Sequence, residues 1–431
     1  MEKYLRWFIP SLASLSILSC ATYDCTFPQA SSPFDKELDY VIQIDDAGKF
    51  REPNVAANAV STIREISKHH NTIVVIFIHG WHHNASPKDK NVKDFADSLV
   101  KIRDTLDDRQ NGESGIYRKS REVLTGDGDV KVIGVYVGWR GKSLPMPLDY
   151  LTFWGRKSAA ERVGNGEIGR FLSELNDIYQ DRLKINGGEK APFMGLVSFG
   201  HSFGGQVLFR AVSPQIEREL IAATQRTGDP DVPTRRIVGF GTLAVLLNPA
   251  IEAKQYEAID SLSRKLPYDH EQTPVMLTLS SQTDSARIFW FPIARLLRTT
   301  FRPALWGKNN DLDNQALGSY APQVTHAVET IENGGTLKFD PEKYDKARCE
   351  IAKFDLTNIP EIGKIKLTPL DRSSQPYSPF IVASVSGKVI IKHSGIFKDD
   401  LRDFLNNYVA LTQGKNLVLG YEDVSNCQLD N

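Results

Sequence analysis

Apolar runs that alternate with longer amphipathic stretches constrain this chain more than any other feature of it. The runs are DYVIQI (39–44), TIVVIFI (72–78), VKVIGVYV (130–137), FMGLVSF (193–199), RIVGFGTLAVLL (236–247) and PVMLTLS (274–280). They are rich in β-branched residues and nearly free of polar interruptions. That marks strands buried on both faces, since a strand with one wet face alternates apolar with polar residues. Between them lie helical stretches at 55–68, 92–108, 156–183, 205–218 and 251–265. Strand and helix in repeated alternation predict an α/β fold built on one mostly parallel, doubly wound sheet with helices on both faces. Right-handed crossovers then bring the functional edge to the C-terminal ends of the strands.

Size and composition agree with one large unit. The chain has 431 residues, of which 41% are hydrophobic and 24% charged, enough apolar material for a core and far from the composition of a disordered chain. Lys and Arg number 52 against 53 Asp and Glu, a net charge of −1, and no basic patch stands out, so a nucleic-acid partner is not expected. Residues 37–431 read as one domain. The stretch ARIFWFPIARLLRTTFRPALW and the loop-rich sequence after it fit no minimal sheet, and 286–345 reads as a cap or lid insertion. Further on, PFIVASV and KVIIK read as a hairpin turning at Ser386-Gly387.

The N-terminus reads as a leader. Lys3 and Arg6 precede an apolar stretch at 7–18, too short for the ~20 residues that span a bilayer. Its end, Ile17-Leu18-Ser19-Cys20, resembles a bacterial lipobox, in which the cysteine is lipidated and opens the mature chain. On that reading 1–19 is a signal peptide, Cys20 the lipid site and 20–36 a tether. The protein is then exported and anchored in the cell envelope, at the periplasmic face of the outer membrane. The alternative is plain export with cleavage after Ala21. Either route leads to an oxidising compartment, where a Cys349–Cys427 or a Cys25–Cys427 disulfide becomes available.

Chemistry concentrates at Gly200-His201-Ser202-Phe203-Gly204, a G-x-S-x-G pentapeptide. It follows the strand FMGLVSF and precedes GGQVLFRAV, the start of a helix, and this strand, turn and helix setting is that of a nucleophile elbow. A serine on so tight a turn is forced out at the top of the sheet. Gly200 and Gly204 are required beside it because strand and helix come too close for a Cβ. A serine nucleophile needs a histidine, oriented by an acid, and in this setting they follow it in the order Ser, acid, His. Asp284 lies just beyond PVMLTLS, at a strand end and so in the place expected for the acid; the plainer alternative is an aspartate that caps a following helix. Asp260 and Asp269 are weaker rivals because they fall in or after a helix. Two histidines follow Asp284. His393, in VIIKHSGIF, precedes the final helix KDDLRDFLNNYV; His326, in APQVTHAVE, falls inside the expected insertion and reads as structural.

Together these residues resemble a serine-dependent α/β-hydrolase, and within that family a group of bacterial esterases and lipases. The segments that carry the resemblance are IFIHGWHHN, VYVGWRG, GHSFGG, the acid after PVMLTLS, and KHSGIF, spread over residues 39–410. The resemblance implies catalysis by Ser202, His393 and Asp284. It also implies an oxyanion hole formed by the backbone N–H groups of Trp81, in His79-Gly80-Trp81, and Phe203. The substrate would be a small-molecule or lipid carboxylic ester, cleaved through an acyl-enzyme with no cofactor and no metal. Activity should fall once acid protonates His393. An acyltransferase or peptidase could use the same residues, and a non-catalytic, envelope-anchored binding scaffold would keep the fold without the chemistry.

Other signals carry less. Gly164-Asn165-Gly166-Glu167-Ile168-Gly169 matches G-x-G-x-x-G but follows a helical stretch, which a dinucleotide site does not. Gly239-Phe240-Gly241 reads as buried sheet. Gly141-Lys142-Ser143 ends like a phosphate loop, yet Tyr136 stands where the first glycine is needed. His79, His82 and His83 lack a metal-binding spacing and read as positioning groups beside the oxyanion segment. The turn Gly126 to Asp129 reads as a solvated bend rather than a calcium loop. The aromatic and arginine-rich segment 286–306 reads as a packed cap helix or as a lid that rests on lipid. Trp139, Tyr150, Phe153 and Trp154 could line an acyl pocket, though packing is the plainer use.

Overall fold

Strands that are apolar on both sides need cover on both sides, and the architecture supplies it. A computed structural model describes residues 38–107, 130–142, 152–184, 192–226, 236–284, 312, 315–331, 351–370 and 375–421. The strands are β1 (Tyr40–Ile44), β2 (Asn71–Ile78), β3 (Val130–Trp139), β4 (Met194–His201), β5 (Leu243–Leu247), β6 (Met276–Ser281), β7 (His326–Thr330), β8 (Ile359–Ile362), β9 (Ile365–Pro369) and β10 (Phe380–Val385). They form a ten-stranded sheet in the order β1-β3-β2-β4-β5-β6-β10-β7-β9-β8. From β1 across to β7 every neighbouring pair is parallel, and β9 and β8 extend that edge antiparallel.

The helices are α1 (Pro53–His69), α2 (Lys90–Asp107), α3 (Phe153–Gly164), α4 (Glu167–Lys184), α5 (Phe203–Arg226), α6 (Ala253–Ser263) and α7 (Asp399–Tyr421). In β2, Val74, Ile76 and Ile78 enter one core with α1 and α3 to α6, while Ile73, Val75 and Phe77 enter the other with α2 and α7. The helix spacings match. α1 buries Ala56, Ala59, Val60 and Ile63 in the first core, and α2 buries Val92, Phe95, Ala96 and Leu99 in the second. Each set follows the i, i+3, i+4, i+7 pattern of a single helix face. α1 opens with Pro53 in its first turn, where the missing N–H costs nothing.

Three expectations are corrected. The run 236–247 is strand only from Leu243, because Gly239 and Gly241 take φ of +65° and +60°, a left-handed conformation that bends the chain before β5 starts. The hairpin at Ser386-Gly387 does not form. PFIVASV becomes β10, parallel to both β6 and β7, whereas KVIIK is irregular and its Val389 and Ile390 are buried from a turn rather than a strand. Within the stretch expected as a cap, residues 315–331 build into the main body instead: β7 lies beside β10 in the sheet, and Leu317 N–H bonds Ile251 O.

The leader 1–19 with Cys20 and the tether, the cysteines 25, 349 and 427, the turn 126–129, Ser143, Tyr150 and most of 286–345 lie outside the described residues. No helix among the described residues is long and apolar enough to cross a membrane.

Candidate active site

The C-terminal ends of β2, β4, β6 and β10 lie along one edge of the sheet, and Ser202, Asp284 and His393 come together there. Ser202 follows β4 with φ of +56°, a left-handed conformation that costs an L-residue about 1–2 kcal/mol. Its surroundings hold it there. Ser202 N–H bonds Leu247 O at 3.0 Å, and Ser202 O accepts from Ala250 N at 3.0 Å and Gln206 N at 3.2 Å. Glycine is mandatory at the approach of helix to strand, because a Cβ on Gly204 would lie 2.1 Å from Ile78 O and one on Gly200 2.7 Å from Gly204 O. α5 starts at Phe203, so the Phe203 and Gly204 amides have no acceptor within their own helix.

Ser202 Oγ lies 2.7 Å from His393 Nε2, and His393 Nδ1 lies 2.8 Å from Asp284 Oδ2. An ionised carboxylate only accepts, so Nδ1 carries the proton and donates to Asp284; Nε2 is then left with a lone pair for the serine O–H. Asp284 is 1% exposed, while the imidazole keeps an open side. A hydroxyl, a neutral imidazole and a buried carboxylate in this order can move a proton off the serine as it attacks an electrophile, with the resulting imidazolium stabilised from behind.

The rivals are engaged elsewhere. Asp260 of α6 pairs at 2.9 Å with Arg264 just past the helix end, and Asp269 accepts from Glu271 N in a turn. His326 is buried in β7 with Nδ1 against Thr325 Oγ1 at 2.7 Å, and burial pulls its pKa down to about 4.

His79-Gly80-Trp81 lies against the elbow. A Cβ on Gly80 would lie 2.8 Å from Ser202 Cβ, so only glycine permits this approach. His79 stacks on Trp139 and Tyr136 and is fully buried. Trp139 N–H donates to its Nε2 at 3.0 Å, which leaves the proton on Nδ1 to donate to Gly80 O at 2.8 Å. Burial holds the His79 pKa down at about 4, so this neutral tautomer persists well below neutral pH. Because carbonyl and N–H point opposite ways in a trans peptide, anchoring Gly80 O turns the Trp81 N–H away from His79. His83 donates from Nδ1 to Asp89 at 2.9 Å, and Asp89 also accepts from Asn84 N and Asn91 N, which ties the loop after β2 to the start of α2. Trp81, Phe153 and Phe203 gather beside this loop, with ring centroids 5.2 Å apart for Trp81 and Phe153 and for Phe153 and Phe203.

Sequence reasoning missed the groups that seat His393. Ser281 Oγ donates to Ile390 O at 2.7 Å, and Lys392 N donates to Thr283 Oγ1 at 3.3 Å. The imidazole of His201, 1% exposed and held neutral chiefly by burial, donates from Nε2 to His393 O at 3.0 Å. The one signal available in the sequence was position: each is a polar residue at the C-terminal end of an apolar run.

No protein-family model matches this chain, and no curated protein does. A solved structure, the crystal structure of an uncharacterized protein from Pseudomonas aeruginosa, matches at 13% identity with a TM-score of 0.20. The match covers 54% of this chain and 38% of that one, so it spans well under half of the other protein and carries no argument about fold or activity.

Proposed function

We propose that this protein is a serine hydrolase of the α/β-hydrolase type that cleaves carboxylic esters through an acyl-enzyme. The observation that carries the proposal is the unbroken hydrogen-bonded chain Ser202–His393–Asp284, with its serine on a left-handed turn between a parallel strand and a helix. His393 takes the proton as Ser202 Oγ attacks the acyl carbon, and Asp284 holds the tautomer and stabilises the imidazolium. The tetrahedral oxygen is met by the N–H groups of Phe203 and Trp81; a missing donor of this kind costs about 10²- to 10³-fold in rate. His393 then returns the proton to the departing alcohol, and water repeats the sequence to release the acid. The part-buried rings of Trp81 and Phe153, packed together beside the Ser202 turn, favour an apolar acyl group over a charged one. The doubly wound family topology, a lid from 286–306 and export with a lipid on Cys20 belong to the same proposal.

Purified protein treated with a fluorophosphonate probe and with p-nitrophenyl esters of graded chain length tests it. The wild type should label and turn over ester. Ser202→Ala should abolish labelling and lower turnover by at least about 10³-fold, while Ser285→Ala keeps both. A wild type that neither labels nor hydrolyses any ester in the series sinks the reading in favour of a non-catalytic scaffold. Metabolic incorporation of a fatty-acid analogue that survives Cys20→Ala would sink the lipid site alone.

A further inference from the structure

His393 has ground to cover before it can reach Ser202. It follows β10, whereas Ser202 follows β4, and β5 and β6 lie between them. At about 4.8 Å per strand those ends are roughly 14 Å apart. Residues 386–393 carry the imidazole back across the gap without joining a strand or a helix. Side chains from the strands beneath must therefore set where this loop stops.

Asn248, the first residue past β5, stands midway along that path. It is 2% exposed and takes φ of +43°, a conformation asparagine accepts more readily than most residues. Its amide is used at both ends. Nδ2–H donates to His393 O at 2.9 Å and approaches Lys392 O at 3.4 Å, and Oδ1 accepts from Ser281 N at 2.8 Å. Its own N–H bonds Leu279 O at 2.8 Å, which fixes its backbone to β6. One short side chain thus ties the carbonyl of His393 to the main chain just ahead of Asp284. The His393 carbonyl receives a second donor from His201, so this atom is held from both β4 and β5.

We infer that Asn248 is a positioning residue that sets the main chain of His393 relative to Ser281, and so fixes the reach of the imidazole to Ser202 and Asp284 together. The task calls for a donor and an acceptor on a side chain too short to sag, placed at a positive φ. Aspartate would keep the acceptor for Ser281 N and turn the donor into a carboxylate facing a carbonyl oxygen. Glycine would keep the backbone and lose both bonds. The effect on turnover rests on the hydrolase reading; the seating of the imidazole does not.

The test compares wild type, Asn248→Asp and Asn248→Gly by proton and nitrogen NMR of histidine-labelled protein, and by the kinetics of ester hydrolysis. The wild type should show a downfield His393 Nδ1–H resonance, assigned by its loss in Asp284→Asn. Both Asn248 variants should broaden or lose that resonance, with kcat down by about 10- to 100-fold and KM nearly unchanged, because misplacing a reacting group by about 1 Å costs on that order. A resonance and a kcat that both stay at wild-type values overturn the inference. Should Asn248→Gly not fold, Asn248→Asp, which retains the Ser281 bond, decides the matter. A wild type without esterase activity, whose resonance is nonetheless lost in the variants, counts against the hydrolase reading and upholds the positioning role.

Discussion

The turn after β4 and the loop after β10 deliver neighbours in one hydrogen-bonded chain by opposite means. The first is main chain throughout: five contiguous residues, with glycines wherever strand and helix crowd, and a serine whose position follows once the turn has formed. The second is irregular and is placed by side chains that belong to other elements, Ser281 at the end of β6, Thr283 just past it, Asn248 after β5 and His201 at the end of β4. A site element can be rigid because its own backbone has no alternative, or because its neighbours leave it none. The two kinds should fail differently.

The sharpest separation comes from Asp284→Asn, which replaces the acceptor-only carboxylate that selects the His393 tautomer by an amide of the same shape. Turnover should drop by about 10⁴-fold with urea stability nearly intact; a drop below tenfold would remove Asp284 from the chain of proton transfer. Gly204→Ala attacks the main-chain element. With its Cβ 2.1 Å from Ile78 O, the turn must open, and chemical denaturation should show a loss of about 4 kcal/mol, at the diagnostic end of single substitutions. A loss under 1 kcal/mol would mean that the turn can shift to admit a methyl group.

His326 serves as the contrast to His393, buried in β7 and bonded to neither Ser202 nor His393. Burial lowers its pKa from 6.5 to about 4, so the unfolded chain binds this proton more readily than the folded one. Its contribution is therefore present above pH 6.5 and is lost as the pH falls toward 4, by about 3 kcal/mol at most. His326→Gln should flatten stability over that window and leave turnover at pH 7 alone; an unchanged slope would show that this imidazole does not drive the acid sensitivity. The smallest effect is expected from Ser281→Ala, which takes from Ile390 O its closer donor and leaves it the longer bond from Thr283 Oγ1 at 3.5 Å. It should cost about 1 kcal/mol of stability and a modest part of the rate, read by the same two assays.

The same contrast explains what was legible in the residues beforehand. β2 and β3 are visible as β-branched runs and β4 as an apolar one because both faces of each are buried, and the Ser202 turn is visible because all its requirements lie within one short segment. Asp284 and His393 could be picked out by chain order together with their places after an apolar run and before the final helix, which set aside Asp260, Asp269 and His326. KVIIK misled because Val389 and Ile390 are apolar for the core yet reach it from a turn. β7 was hidden by its length of five residues and its single polar-to-apolar alternation. Asn248 was illegible for a different reason, since its bonds join residues 33 and 145 positions away and leave no local pattern.

The missing side chain of Gly80 has a consequence for what this turn can become. Ser202 holds its Cβ against a bare α-carbon, at a backbone setting that branched residues shun. An oxygen there can be traded for sulfur at the cost of moving the imidazole that lies 2.7 Å away, with no new branch at Cβ, but threonine brings a methyl group into a space already spent. Descendants of this chain therefore have one nucleophile swap within easy reach, and the other only by recasting two strand ends at once.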